Sequence, residues 1–274
     1  MGKVVGAFAT SHTMFPSAGV EHQAQQVVDG FRELGRRVYD LGPDLVIVVS
    51  SEHGPTLLPS GPQPPFTLPV VDSFQTFGEM DIPRVDIRSD AEFANNFLRY
   101  TATRGFDIAS MSTIRADHGL AIPILMMFPA NDIPVIPLII GTQSPSATAT
   151  AARCYLLGRL LAGYVATREE RVVVVGCGGL SHWPGTAQMG RINEQFDREF
   201  LALLSAGDGG YAAAWSNDYI IEQAGNGGLE IRNWIFAAAA IGDAGGATLY
   251  YEPIKPWATG MSAFAFAAPP EVDV

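Results

Sequence analysis

Cysteine is scarce in this chain of 274 residues: Cys154 and Cys177 are the only two, and no Cys-x-x-Cys pair occurs. That excludes a disulfide framework and gives no support to a thiolate zinc or redox site. Basic residues are few as well, 17 Lys and Arg against 28 Asp and Glu, for a net charge of −11. No basic stripe is present to neutralise phosphates, which argues against nucleic acid or an anionic membrane surface as a partner. No uninterrupted apolar run reaches the length of a membrane span. The opening segment MGKVVGAFATSH has one Lys, a short apolar run and no A-x-A cleavage pattern. It reads as a first buried strand rather than a signal peptide, and a cytoplasmic protein is the simplest expectation. Apolar surface, in contrast, is plentiful: 47% of residues are hydrophobic and 16% charged, enough to offset the ordering entropy of one folded unit.

Strand and helix patterns alternate along the chain. Val4 to Ala9 is a short apolar run that ends in Thr10-Ser11-His12. Val20, Ala24, Val27, Phe31, Leu34 and Val38 then recur at three- and four-residue steps, the stripe of an amphipathic helix closed by Gly42-Pro43. Leu45 to Val49 and Val172 to Val175 are too continuous to be half exposed, so both are expected as central parallel strands. The first runs into Ser50-Ser51-Glu52-His53, the second into Gly176-Cys-Gly-Gly-Leu-Ser-His182. Between residues 54 and 88 prolines and glycines are concentrated, which predicts a long functional excursion that shapes a pocket. Further helices are expected over Ala91–Thr103, over Thr148–Thr167 and through most of Gln188–Asp243. Further strands are expected at Phe106–Ala109, Pro134–Ile140, Thr248–Tyr251 and Ser262–Phe266. No linker or internal repeat divides the pattern. Residues 1–274 therefore read as a single α/β domain with a central mostly parallel or mixed sheet covered by helices. In such sheets the ligand site lies at the strand C-terminal edge.

Five histidines occur, and His12, His53 and His182 each stand just past the end of an expected buried strand. Alone, each suits a structural role; together they place three imidazoles on the rim where this architecture builds its sites. His22, near the start of the first helix, reads as a surface or packing residue. Two metal schemes suit such a rim. A zinc hydrolase uses three protein ligands and one open position, whereas a non-haem iron oxygenase uses two His and one carboxylate on one face. His12 and His53 serve either scheme. Glu52 is a poor third ligand because neighbouring strand residues point to opposite faces. Glu230 stands out inside the apolar helical run Leu229-Glu-Ile-Arg-Asn-Trp-Ile-Phe, although a carboxylate early in a helix also complements the macrodipole.

Thr-Ser-His12, Ser-Ser-Glu-His53, Asp117-His-Gly119, Gly178-Gly-Leu-Ser-His182, Leu229-Glu-Ile-Arg-Asn-Trp-Ile235 and Tyr250-Tyr-Glu-Pro-Ile254 follow one another in this order. The series resembles the class III, or LigB-type, extradiol ring-cleavage dioxygenases, over nearly the whole chain; Gly-Gly-Leu-Ser-His is its most specific segment. The resemblance implies a ferrous ion held by His12, His53 and Glu230, with His182 as the acid–base residue and His118 as a second active-site histidine. It implies an aromatic vicinal diol, of catechol, aminophenol, gallate or dihydroxypyridine type, and O2 as substrates. His118 would then hydrogen-bond a substrate oxygen or bound O2, and histidine, titrating near neutrality, suits the proton traffic assigned to His182.

Other readings are weaker. Gly179-Leu-Ser-His-Trp183 lacks the second glycine of a G-x-S-x-G nucleophile elbow. Gly176-x-Gly-Gly is not a dinucleotide fingerprint, and its glycines fit a tight turn near the metal. A zinc hydrolase or a non-catalytic binding protein on the same fold is the alternative function. Trp183 and Phe77 are candidate walls of a ring pocket. The working form is expected to be a homo-oligomer or to use a separate small subunit.

Overall fold

Apolar side chains on both faces of the central strands dictate the layering, because each face must be covered. The computed structural model describes residues 2–53, 64–142 and 149–268. Its elements in chain order are β1 (Lys3–Thr10), α1 (Glu21–Leu41), β2 (Leu45–Ser51), β3 (Phe66–Pro69), β4 (Ser73–Thr76), β5 (Asp86–Arg88), α2 (Ala91–Ala102), β6 (Ala109–Met111) and β7 (Arg115–Ala116). They continue with α3 (His118–Met127), β8 (Val135–Ile140), α4 (Ala151–Val165), β9 (Arg171–Cys177), α5 (Glu194–Ala206), α6 (Gly209–Ala212) and α7 (Asn217–Ala224). A 3-10 turn (Gly227–Glu230) then leads into α8 (Ile231–Ala240), β10 (Gly246–Ile254) and β11 (Thr259–Phe266).

Eight strands form one sheet in the order β10-β11-β1-β9-β2-β8-β3-β6, and β5-β4-β7 make a small second sheet. The pairs β1–β9, β9–β2 and β2–β8 are parallel, whereas β11 and β3 run antiparallel to their neighbours β1 and β8. The sheet is thus mixed, with a parallel centre, as the continuous Val and Ile runs predict. Along β9, Val172 and Val174 pack with α4 and α8 residues such as Leu157 and Trp234, while Val173 and Val175 pack with Val27 and Phe31 of α1 and Leu120 of α3. Each of these buried valines contributes about 1.5–3 kcal/mol relative to exposure. Helix ends carry the expected chemistry: Asp90, Thr150, Asn193 and Ser216 accept N-terminal backbone N–H groups of α2, α4, α5 and α7.

Three expectations change. The strand expected at Phe106–Ala109 is β6, which starts only at Ala109, because Phe106 turns into the core to meet the Phe66 ring at 5.1 Å. The last two strands are longer than expected, forming a hairpin closed at Ala258, which sits at φ 54°. The excursion after His53 contains β3, β4 and β5. Its first part, residues 54–63, lies outside the described residues, as does Thr148 at the front of the expected α4. Among the described residues no helix is long and apolar enough to cross a membrane.

Candidate active site

Because β1, β2, β8 and β9 are parallel, their C-terminal ends share one edge, and the segments that leave them carry His12, His53, Thr142 and the Gly178–His182 loop. Backbone bonds tie these segments together: Gly178 N–H donates to Thr10 O at 2.9 Å, and Ser11 N–H to Ser262 O at 2.9 Å. The edge opens into a cavity of about 900 Å³ bordered by His12, His53, His118, His182 and Glu230. His22 lies apart from it, exposed on α1.

The centre of the site is a triangle of side-chain nitrogen and oxygen atoms. Nε2 of His12 lies 3.1 Å from Nε2 of His53, which lies 2.9 Å from Oε1 of Glu230, and the third side, His12 Nε2 to Glu230 Oε1, measures 3.8 Å. Glu230 ends the 3-10 turn that leads into α8. Its other oxygen accepts Gly179 N–H at 2.7 Å, and a Cβ on Gly178 would lie 2.5 Å from its own Cβ. A glycine at 178 is therefore a steric requirement for the approach of Glu230. The glycines after β9 do make the close turn at the site that the sequence suggests.

His118 stands beside the triangle, its ring centroid 4.2 Å from that of His53 and 5.6 Å from that of His12. Ring nitrogens of His12, His53 and His118 all lie within 4.8 Å of one another, so this group could hold a metal ion. His182 completes the surround. Its Nε2 is 3.8 Å from Glu230 Oε2, and its Nδ1–H donates to Leu180 O at 3.0 Å, which leaves Nε2 as the acceptor. Gly227 is what lets the ring fit, since a Cβ there would overlap the imidazole.

Electrostatics follow from burial and pairing. Burial pushes the His12 imidazole down to about 3, against the attraction of Glu230. Burial opposes charge on His53 too, but the Asp117 and Glu230 carboxylates outweigh it and raise that histidine well above its ordinary value. Burial also pushes Glu230 upward, yet His12 and His53 hold it below the usual carboxylate range. Asp117 is likewise lowered, its burial outweighed by His53.

Several residues have supporting roles that the sequence motifs do not assign. Asp117 caps α3 through Gly119 N–H at 2.9 Å, accepts His53 N–H at 3.1 Å, and stands 3.4 Å from His53 Nδ1. Glu79 reaches His118 from the 54–88 excursion: one oxygen accepts both the backbone N–H and the Nδ1–H of His118, each at 2.8 Å. The tripeptide after Ile231 locks α8 to the sheet edge. Arg232 donates to the carbonyls of Leu229 (2.7 Å), Gly141 (3.0 Å) and Ala149; Asn233 Nδ2 donates to Cys177 O at 2.5 Å; Trp234 Nε1–H donates to Gly178 O at 3.2 Å. The polar pair Arg232-Asn233 inside an apolar helix was the available signal.

Other expectations are corrected here. Trp183 and Phe77 do not line the cavity; Trp257 does, with Phe15, Met189 and Leu229. Trp183 is instead buried and covered by Arg191, whose guanidinium lies 4.5 Å from the ring centroid. The described part of the 54–88 excursion acts through Glu79 rather than by lining the cavity, since no residue of 64–88 borders it. Ser181 is fully buried and donates to Asp197 at 2.8 Å, a structural bond that leaves it no nucleophile's position. Glu52 does border the cavity beside His53, its Oε1 accepting Thr142 N–H at 2.7 Å, because strand alternation ends with β2.

A mixed sheet carrying imidazoles and a carboxylate on its C-terminal edge defines a metal-site α/β protein of the kind the sequence motifs resemble. Residues 6–262 match the family described as the catalytic LigB subunit of aromatic ring-opening dioxygenase, and the chain belongs to that family. Among curated relatives, a 2,3-dihydroxyphenylpropionate/2,3-dihydroxicinnamic acid 1,2-dioxygenase from Rhodococcus sp is 28% identical, over 94% of this chain and 96% of its own. The protein of that name from Photorhabdus laumondii is 26% identical over the same shares. The crystal structure of an uncharacterized Escherichia coli K12 protein superposes with a TM-score of 0.64 at 15% identity, covering 96% of this chain and 100% of that one, which shows the shared fold.

Proposed function

We propose that this protein is an Fe(II)-dependent extradiol dioxygenase that opens the ring of a catechol-type vicinal diol with O2. The relatives are named for 2,3-dihydroxyphenyl substrates, and the vicinal diol is carried over from those names. The observation that supports the reading is the triangle of His12, His53 and Glu230 atoms inside a cavity that His118 and His182 also border.

The donor set fits the ion. Two ligand atoms bound at right angles at about 2.1 Å lie about 3 Å apart, the size of the His12–His53 and His53–Glu230 separations; the third side is wider. The Asp117 carboxylate behind His53 Nδ1 is the outer partner that metal-bound imidazoles commonly have, whereas His12 Nδ1 is buried without a hydrogen-bonding partner among the described residues. Held by these residues, a ferrous ion would supply the centre that binds diol and dioxygen side by side and lets electron density pass between them.

The protein's own groups do the rest. His182, its Nδ1–H held by Leu180 O, takes a proton from a diol hydroxyl at Nε2 and later returns one to a product oxygen. His118, fixed through Nδ1 by Glu79, hydrogen-bonds a substrate oxygen. Trp257, Phe15, Met189 and Leu229 give the ring an apolar wall.

Anaerobic reconstitution followed by metal analysis and exposure to catechol in air tests the reading. One equivalent of iron and a yellow ring-cleavage product are expected. Failure to retain iron, or retention without ring opening across a panel of vicinal diols, would overturn it. His182→Phe is expected to keep its iron and lose turnover by about 100-fold or more. Glu79→Ala is expected to lower kcat about tenfold with iron content and melting temperature little changed, and Glu79→Gln to restore much of the loss, since it keeps an acceptor for Nδ1–H. Equal kcat in wild type and Glu79→Ala would remove Glu79 from its positioning role.

A further inference from the structure

The cavity is uneven in polarity. Beyond the metal-site residues its walls are apolar at Phe15, Met189, Leu229 and Trp257 and neutral but polar at Thr13, Thr142, Asn226 and Thr259, and the charged group that joins them is the carboxylate of Glu52, which is 2% exposed. Among the described residues no Lys or Arg lines it. The two segments that continue from cavity residues outside the described part, 54–63 after His53 and 143–148 after Thr142, contain neither Lys nor Arg in the sequence. Nearby cations are already engaged or stand outside. Arg232 is fully buried with its donors on three carbonyls. Arg191 covers Trp183 and donates to Gln188 Oε1 at 2.8 Å. Lys255, next to Pro256 on the cavity rim, is exposed.

We propose that the ring substituent accepted by this site is uncharged and largely apolar, and that Glu52 excludes substituents bearing a carboxylate. The inference rests on the dioxygenase reading and narrows its substrate class. A carboxylate carried into the cavity would lose its water, gain no cation and face Glu52, whereas an alkyl, aryl or amide group of the same length meets the apolar wall. Arg232, which is electrostatically coupled to Glu52, is fully buried and does not border the cavity.

The test compares an acid with its uncharged amide and with the unsubstituted diol. Iron-loaded protein is titrated calorimetrically, without oxygen, with 2,3-dihydroxyphenylpropionate, with its amide and with unsubstituted catechol; each is then turned over in air. The amide is expected to bind at least about 30-fold more tightly than the acid. Glu52→Gln is expected to shrink that ratio at least fivefold, and Met189→Lys, at an exposed position on the cavity wall, to improve binding of the acid. If wild-type protein binds and cleaves catechol yet prefers the acid, or takes acid and amide equally, this inference is overturned while the dioxygenase reading stands. If the ratio holds but Glu52→Gln leaves it unmoved, the assignment of the exclusion to Glu52 is wrong. If none of the diols is bound or cleaved, the dioxygenase reading itself fails.

Discussion

Glu230→Ala protein is expected to leave purification and anaerobic reconstitution without metal, its affinity for Fe(II) lowered by about 1,000-fold or more, roughly 4 kcal/mol. Three things go with the side chain. The site loses the buried carboxylate that stands 2.9 Å from His53 Nε2. Gly179 N–H loses its acceptor, which loosens the loop that carries His182. His53 keeps Asp117 as its sole carboxylate partner among the described residues, at 3.4 Å. The two neutral imidazoles left behind supply no negative charge to offset that of the divalent cation. His12→Ala is expected to be as damaging, whereas His182→Phe keeps the ion, and this contrast separates holding residues from proton-moving ones. Metal analysis of the three proteins side by side is the measurement. It also decides between ligand sets, because His12, His53 and His118 form a second group with converging nitrogens. Full iron content in Glu230→Ala combined with its loss in His118→Ala would assign the ion to three histidines.

The same residues mark how far the sequence reaches. Leu45–Val49 and Val172–Val175 announce central parallel strands because burial on both faces leaves no room for alternation. Once two or three such strands are placed, His12, His53 and His182 fall on one edge by topology alone. Glu230 is different. Its apolar surroundings mark it as anomalous, but the 177 residues separating it from His53 are bridged only by the fold, through a bond of 2.9 Å. The motif resemblance supplied that pairing. Glu79 lies beyond both kinds of reasoning, since β4, β5 and β7 are strands of four, three and two residues, too short to show a period. The tryptophans make the same point. Trp183 follows the most specific motif and is buried elsewhere, while Trp257 reaches the cavity because a turn at Pro256–Ala258, with Ala258 at φ 54°, carries it there.

Arg232→Met is expected to destabilise the protein by about 3–5 kcal/mol, although methionine is apolar and similar in length. The guanidinium is fully buried, and burial itself lowers its pKa, so its presence is costly unless its nitrogens find acceptors. All three do: Leu229 O, Gly141 O and Ala149 O each accept from it. These carbonyls belong to the 3-10 turn before α8, to the segment leaving β8 and to the residue before the cap of α4. Ala149 O keeps Asn217 Nδ2 at 3.2 Å and Leu229 O keeps the Ile231 N–H once the side chain is gone, but neither replaces a bond from a charged donor. Each hydrogen bond from a charged donor is worth about 1.5–3 kcal/mol, which is why the apolar replacement cannot recover the loss. Arg232→Lys is expected to fall between the two, because a single ammonium cannot span a fork that meets three acceptors. Urea unfolding should show the midpoint of Arg232→Met lower by about 1–2 M with the slope unchanged. Iron affinity should fall with it, since Glu230 stands two residues earlier on the turn that Arg232 fastens. A variant of wild-type stability that still binds iron normally would mean that Asn233 and Trp234 suffice to hold α8 against the sheet edge, and that the buried cation serves neither the fold nor the ligand geometry.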